Sequence, residues 1–242
     1  MSGEKALAAP AAGTRVGRDG SRTGVTRALV CEHRLLLRVD ERPFAQLVCT
    51  PALLRELVLG RLCTAGRITT PEDVLSLEFS GQETVAEVRL RPGAGRGAAQ
   101  RLTDRSGWQD GDVLRLAARL REAMPLHDAT LGAHGAALMH RGKVLCCCED
   151  IGRHNALDKA VGTALESGAA LEECILCTTG RIACDIAEKA AAAGVPVLVS
   201  RALPTAEAVR YAASVGLTLI GRAWEDQFEL YSTAVGFGHE ST

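Results

Sequence analysis

Apolar positions follow two different rhythms along this chain. Over residues 28 to 49, ALVCEHRLLLRVDERPFAQLVC, short apolar runs and alternations predict two strands joined at Asp40 to Pro43. Thr50 followed by Pro51 reads as an N-cap with proline at the first helical position. Leu53, Leu54, Leu57, Val58 and Leu62 then recur at helical spacing, and Gly66 closes the helix. Two more strands are expected at Val74 to Phe79 and Val85 to Leu90. The segment RPGAGRGAAQRLTDRSGWQDGD is glycine-rich and polar and reads as a mobile loop, with a helix from Val113 to Met124 after it.

The second half alternates. A hairpin GAALMHRGKVLCCCED, a helix over 154–166, strand CILCTT, a helix over 183–193, strand VPVLVS, a helix over 205–215 and strand LTLIG follow in order. Strands alternating with helices imply an α/β fold, a mostly parallel or mixed sheet covered on both faces. Ligands of such sheets bind outside the carboxyl ends of the strands. Four successive strands each deliver an arginine there: Arg153, Arg181, Arg201 and Arg222. Gly152 and Gly180 accompany two of them and let backbone approach a ligand closely. An edge of guanidinium groups suits phosphates, although arginines also simply solvate strand ends.

Residues 1–24, rich in Ala, Gly, Arg and Ser, lack apolar periodicity and read as a disordered arm. Residues 25–110 then form a smaller β-rich α+β subdomain ending in the glycine-rich loop, and 111–242 an α/β cofactor-binding domain. At 242 residues with 47% hydrophobic content, the chain can bury a sizeable core. Its 28 basic and 29 acidic residues nearly cancel, so no global field draws it to nucleic acid or an anionic membrane. Aromatics at 3% are too few for base-stacking platforms, and no apolar run is long enough to span a bilayer. Nine cysteines, an odd number, and no visible signal sequence point to free thiols in a reducing cytoplasm.

Three of those cysteines are adjacent. In a strand Cys146 and Cys148 share one face and Cys147 takes the other. Cys148 is expected within reach of Arg153, His154 and the start of the next helix, which would lower a thiol pKa; core packing is the alternative. Cys174 and Cys177 form a CxxC, but residues three apart in a strand face opposite ways and cannot share a metal. His134, bracketed by small residues, is either a satisfied buried histidine or a ring placed where a ligand approaches. Glu149, Asp150, Asn155, Asp158 and Lys159 cluster at the helix entry, where Asp150 is a candidate cap and Lys159 an ion-pair partner or phosphate ligand.

The block EDIGRHNALDKAVG resembles the most distinctive segment of the formate dehydrogenase accessory sulfurtransferase family, FdhD/NarQ. CTPALLRELVLGRLCTAGRI, LGAHGAALMHRGKVL and TTGRIACDIAEKAAAAGVPVLVSRALPTAEAVRYAASVGLTLIGRA resemble its other blocks, in order. The resemblance implies a cytidine-deaminase-like fold, a homodimer, and binding of the molybdenum bis(molybdopterin guanine dinucleotide) cofactor, with GDP as its mimic. It implies a cysteine desulfurase as sulfur donor and apo formate dehydrogenase as recipient of the cofactor. No H-x-E…P-C-x-x-C zinc signature is present, so deamination is not implied. The cofactor-binding expectation falls on His134, Arg153, His154, Asn155, Asp158, Lys159, Gly180, Arg181, Ser200 and Arg201. It extends to the loop Arg222, Ala223, Trp224, Glu225, Asp226 and Gln227, which is more acidic than phosphates would favour.

The chain departs from the family at one place. The family carries sulfur on cysteines of a CGxCG motif, and here Ser106 and Gln109 stand at those two positions. Neither can form a persulfide. Three readings remain: a sulfurtransferase whose persulfide has moved to Cys148 or Cys146, a protein that holds the cofactor without transferring sulfur, and an unrelated nucleotide-using enzyme. For the last, the sequence offers neither a P-loop nor a G-x-G-x-x-G after a strand.

Overall fold

A computed structural model of the chain describes residues 5–95 and 101–233. It begins with an antiparallel ribbon of β1 (Ala8–Val16) and β2 (Arg22–Val30), where the sequence predicts a disordered arm. Ala, Gly and Arg disguise these strands because no apolar alternation marks a buried face. The second sheet has strand order β4-β3-β6-β5: β3 (His33–Val39), β4 (Arg42–Cys49), β5 (Val74–Ser80) and β6 (Val85–Leu90). His33, Leu35, Leu37 and Val39 alternate into the core. Asp40 and Glu41, both at positive φ (49° and 67°), make the two-residue turn into β4.

Between β4 and β5 lies α1 (Leu54–Thr64), preceded by Leu53 in the left-handed region at φ 52°. The helix thus starts later than the Thr50-Pro51 signal predicts. Thr50 does not cap it, because its hydroxyl is taken by Asp150 and Lys159.

The remaining chain builds a six-stranded sheet. After α2 (Asp110–Glu122) and α3 (Pro125–Thr130) come β7 (His134–His140), β8 (Lys143–Asp150), α4 (Arg153–Glu166), β9 (Cys174–Thr178), α5 (Cys184–Ala193), β10 (Val197–Ser200), α6 (Ala206–Val215), β11 (Thr218–Gly221) and β12 (Glu229–Ser232). The strand order is β12-β11-β10-β9-β7-β8. β9, β10 and β11 are mutually parallel, while β7 runs against both β8 and β9. Hence β8, β9, β10 and β11 all point the same way, and β7 enters the sheet at their carboxyl edge.

Helices α4, α5 and α6 cover one face, sharing a continuous apolar core with α1 and the second sheet. The other face packs Ala137, Met139, Ile175, Cys177, Val197, Val199 and Ile220 against α2. Helix α1 crosses α4 with backbones in contact: a Cβ on Gly60 would lie 1.7 Å from the Asp158 carbonyl oxygen, and one on Gly162 1.9 Å from that of Glu56. Only glycine fits at either place.

Candidate cofactor edge

The shared strand direction brings the ends of β8, β9, β10 and β11 and the start of β7 together. Thr178 and Thr179 organise the middle. Gly180 N–H donates to Thr178 Oγ1 (3.1 Å), Gly135 N–H to Thr179 Oγ1 (3.0 Å), and Ser200 Oγ to the Gly180 carbonyl (2.8 Å). Ala202 N–H reaches Ser200 Oγ (2.9 Å), and Ala223 N–H the Ser200 carbonyl (3.0 Å). Ser200 is therefore buried scaffolding that ties three strand ends together rather than a group facing a ligand.

Over this floor lie the arginines. The aliphatic stem of Arg153 crosses Gly180, where an added Cβ would come within 2.8 Å of it, so this glycine makes room for an arginine. Arg153 Nε is enclosed and has no hydrogen-bond partner among the described residues. Arg201 stacks on Trp224, its guanidinium carbon 4.4 Å from the ring centroid. Beside them is a depression of about 350 Å³ lined by Arg121, Met124, His127, Thr179, Arg201, Ala202 and Trp224. Arg181 is exposed, whereas Arg222 pairs with Glu229 at 3.2 Å. His134 Nδ1 is 3.5 Å from Thr179 Oγ1; burial, then the nearby Arg153 charge, holds its pKa below the usual histidine range. In the loop after β11, Ala223 is buried, while Trp224, Glu225, Asp226 and Gln227 are exposed.

Asn155, Asp158 and Lys159 are not at this edge. Lys159 Nζ lies 2.7 Å from Asp150 Oδ2 and 2.6 Å from Thr50 Oγ1, with no exposed surface. Asp150 also accepts from Thr50 N–H (2.9 Å), Gly152 N–H (3.0 Å) and Asn155 Nδ2 (2.9 Å), and Asn155 Nδ2 reaches the Val48 carbonyl (2.7 Å). Asp158 takes the Thr64 hydroxyl (2.7 Å) and the Lys189 ammonium (2.5 Å). Burial is the largest influence on Lys189 and pulls its pKa down. These residues bind the second sheet and α1 to α4; Asp158 and Lys159 are wholly enclosed, which corrects their expected role as cofactor ligands, whereas Asn155 also borders the cleft beside His154. Asp150 holds the turn through Gly152 rather than capping α4, and Glu149 caps α3, accepting from Leu126 N–H (2.9 Å) and His127 N–H (2.7 Å).

His154 lies on the other side of the edge, with Nε2 3.2 Å from Asp185 Oδ2. Burial outweighs that carboxylate and lowers the histidine pKa. It borders a second cleft of about 660 Å³, whose walls include Arg61, Thr64, Asp185, Glu188, Lys189 and Tyr211. Sequence reasoning missed Arg61, Arg121, His127 and Thr179, which carry no motif of their own and meet the edge only through the fold.

The cysteines sit apart from the edge. Cys146 and Cys148 do share a face, beneath α4: Cys146 Sγ is 3.7 Å from the Ala160 carbonyl, and Cys148 Sγ 3.9 Å from Thr163 Oγ1. The Cys146 thiol hydrogen-bonds Cys148, which raises the pKa of Cys146 and lowers that of Cys148, with Lys159 adding to the latter. Cys148 is only 3% exposed. The expected approach of Cys148 to Arg153 and His154 is replaced by this enclosure against the middle of α4. Cys174 and Cys177 face the two opposite cores, and burial pushes each up to about 12.

Ser106 and Gln109 are at the opposite edge of the sheet. Leu102 N–H bonds the Val215 carbonyl (2.9 Å) and Arg105 N–H the Glu172 carbonyl (3.0 Å), both ahead of parallel strands. The segment expected to be mobile is thus tied down over these residues; 96–100 lie outside the described residues. Ser106 Oγ bonds Asp104 (2.6 Å), and Gln109 begins α2, which runs about 20 Å across the sheet before the chain reaches the arginine edge.

The sequence pattern of the FdhD/NarQ family matches residues 30–108 and 94–236. The chain belongs to that family. The sulfur carrier protein FdhD of Geobacillus kaustophilus is 31% identical over 258 residues, covering 96% of this chain and 97% of that one. FdhD of Streptomyces avermitilis is 31% identical over 244 residues, covering 84% and 86%. A crystal structure of a formate dehydrogenase accessory protein from Desulfotalea psychrophila superposes with a TM-score of 0.80 at 22% identity, covering 94% of this chain and 98% of that one. The FdhD/NarQ fold therefore accounts for almost the whole chain, the mixed sheet included.

Proposed function

We propose that this FdhD/NarQ protein serves formate dehydrogenase maturation by holding the molybdenum bis(molybdopterin guanine dinucleotide) cofactor at the arginine edge. The observation that carries this reading is Arg153: a guanidinium Nε enclosed without a partner among the described residues, beside His134 and over Gly180. An unpaired buried donor is costly, and a phosphate oxygen would satisfy it. Arg201 on Trp224 offers a flat cationic surface to a guanine or pterin ring. The two depressions on either side of the edge suit a ligand with two nucleotide arms.

In the full reading, a cysteine desulfurase supplies sulfur as a persulfide, the cofactor receives it, and apo formate dehydrogenase takes the cofactor, all in the cytoplasm with the protein as a homodimer. A second reading is favoured by the burial of Cys148 under α4 and by Ser106 and Gln109 at the family's cysteine positions: the protein escorts the cofactor without carrying sulfur.

Calorimetric titration with GDP on wild type and Arg153→Ala tests the first step. Binding weakened at least tenfold by the substitution is expected; no GDP binding by the wild type would sink it. Intact-mass measurement after incubation with a cysteine desulfurase and cysteine then separates the two readings. A reducible gain of about 32 Da, abolished in Cys148→Ser or Cys146→Ser, supports transfer, and no gain with GDP binding intact supports the escort.

A further inference from the structure

The cleft beside His154 carries two opposite charges that do not meet. His154 and Asp185 stand at its edge end; Lys189 and Ala192 follow about 6 and 10 Å further along α5. Arg61, in the last turn of α1, belongs to the far end, where its charge acts on Lys189. Both oxygens of the nearby Asp158 carboxylate are taken, Oδ1 by the Thr64 hydroxyl and Oδ2 by the Lys189 ammonium, so none is left for Arg61. The Arg61 side chain has no hydrogen-bond or ion-pair partner among the described residues, and its Nε is enclosed. A cation in the last turn complements the α1 dipole, which accounts for the charge but leaves its donors unmade.

Glu188 lines the same cleft from α5. Its Oε1 accepts from the Cys184 thiol, a weak donor at 3.5 Å, and its charge reaches the Tyr211 hydroxyl. Arg61 and Glu188 border one cavity, yet among the described residues no ion pair joins them. Lys189 is balanced by Asp158, and Asp185 lies against His154 and the Ile186 N–H. One guanidinium and one carboxylate therefore remain. A phosphate at this end would satisfy the first and be repelled by the second, so the far end differs from the edge end that a nucleotide arm would enter. A molecule that carries both charges satisfies both walls. Leu47, Ala65 and Ala192 add apolar surface, and about 660 Å³ is ample for a small ligand.

We propose that the far end of this cleft binds a small α-amino acid. The Arg61 guanidinium forks onto the carboxylate, Glu188 takes the ammonium, and the side chain lies on Leu47 and Ala192. The site goes beyond the cofactor reading: it uses no residue of the arginine edge and needs no nucleotide.

Calorimetric titration of L-alanine, L-leucine and acetate into wild type, Arg61→Ala and Glu188→Gln tests the proposal. At least one of the two amino acids is expected to bind the wild type at least tenfold more tightly than acetate, which leaves Glu188 unsatisfied. Arg61→Ala should weaken that amino acid at least tenfold. Glu188→Gln should weaken it as much without weakening acetate, a pattern that a lost fold cannot produce. No binding of either amino acid, acetate binding as tightly, or a variant with wild-type circular dichroism that binds the amino acid unchanged would overturn the proposal. GDP keeps the two ideas apart. GDP that displaces the amino acid would give the whole cleft to the nucleotide and overturn the separate site, whereas amino-acid binding without any GDP binding refutes the arginine edge alone.

Discussion

Lys159 Nζ and Asp150 Oδ2 meet at 2.7 Å with neither side chain exposing any surface. Thr50, Gly152 and Asn155 donate to Asp150, and Thr50 and the Glu149 carbonyl accept from Lys159, so the pair's desolvation is offset by charge-assisted hydrogen bonds. Replacing one partner strands the other charge. Lys159→Met or Asp150→Asn should each cost about 3–5 kcal/mol in guanidinium unfolding. Lys159→Met combined with Asp150→Leu should cost less than the two single losses added. Additive losses would mean that the pair is not coupled.

The crossing of α1 and α4 tolerates no side chain at Gly60 or Gly162. Gly60→Ala should lower stability by at least about 1–3 kcal/mol, because the obstacle is backbone carbonyl rather than a flexible side chain. Gly24→Ala, whose Cβ would meet nothing, should change it little. Thermal unfolding of the two variants decides the matter; equal midpoints would contradict the close crossing.

Glu173 bridges His140 (2.8 Å) and Arg141 (2.6 Å), and hydrogen bonds from Arg141 first and His140 second hold its carboxyl down at about 2. Its unfolded value is about 4.3. A depressed folded pKa gives stability that is fully present above about 4.3 and is lost as pH falls toward 2. Glu173→Gln should flatten the acid fall in stability across that window. An unaltered acid limb would count against the assignment.

Thiol burial divides the nine cysteines. Cys31, Cys147 and Cys184 are half-buried and should alkylate in the native protein; Cys146 is half-buried too but should react more slowly, because its neighbour Cys148 and burial raise its thiol pKa; Cys49, Cys63, Cys148, Cys174 and Cys177 are enclosed and should react only on unfolding. Peptide mapping after timed iodoacetamide treatment reads this directly. Rapid native labelling of Cys148 would reopen it as a sulfur carrier.

The alternating half of the fold was legible because each strand and helix there is buried in its own period, so CILCTT, VPVLVS and LTLIG announce themselves. The ribbon was not, since strands exposed on both faces need no apolar alternation. Thr50 misled for a different reason: a threonine before proline is a cap in local chemistry, and only the tertiary fold reveals the buried charges that claim its hydroxyl. The same applies to EDIGRHNALDK. Sequence shows its polar groups as a cluster but not which way each points, and within two turns of α4 Arg153 lies over the edge and Lys159 in the interior.

The contact of Gly60 and Gly162 with opposing backbone has a mechanical side. Two helices that touch through their main chains leave no layer of side chains to slide or repack, so the halves of the chain cannot hinge about that seam. In the function proposed above, cargo exchange at the arginine edge would then come from side chains and surface segments moving around a stiff frame, not from the frame opening.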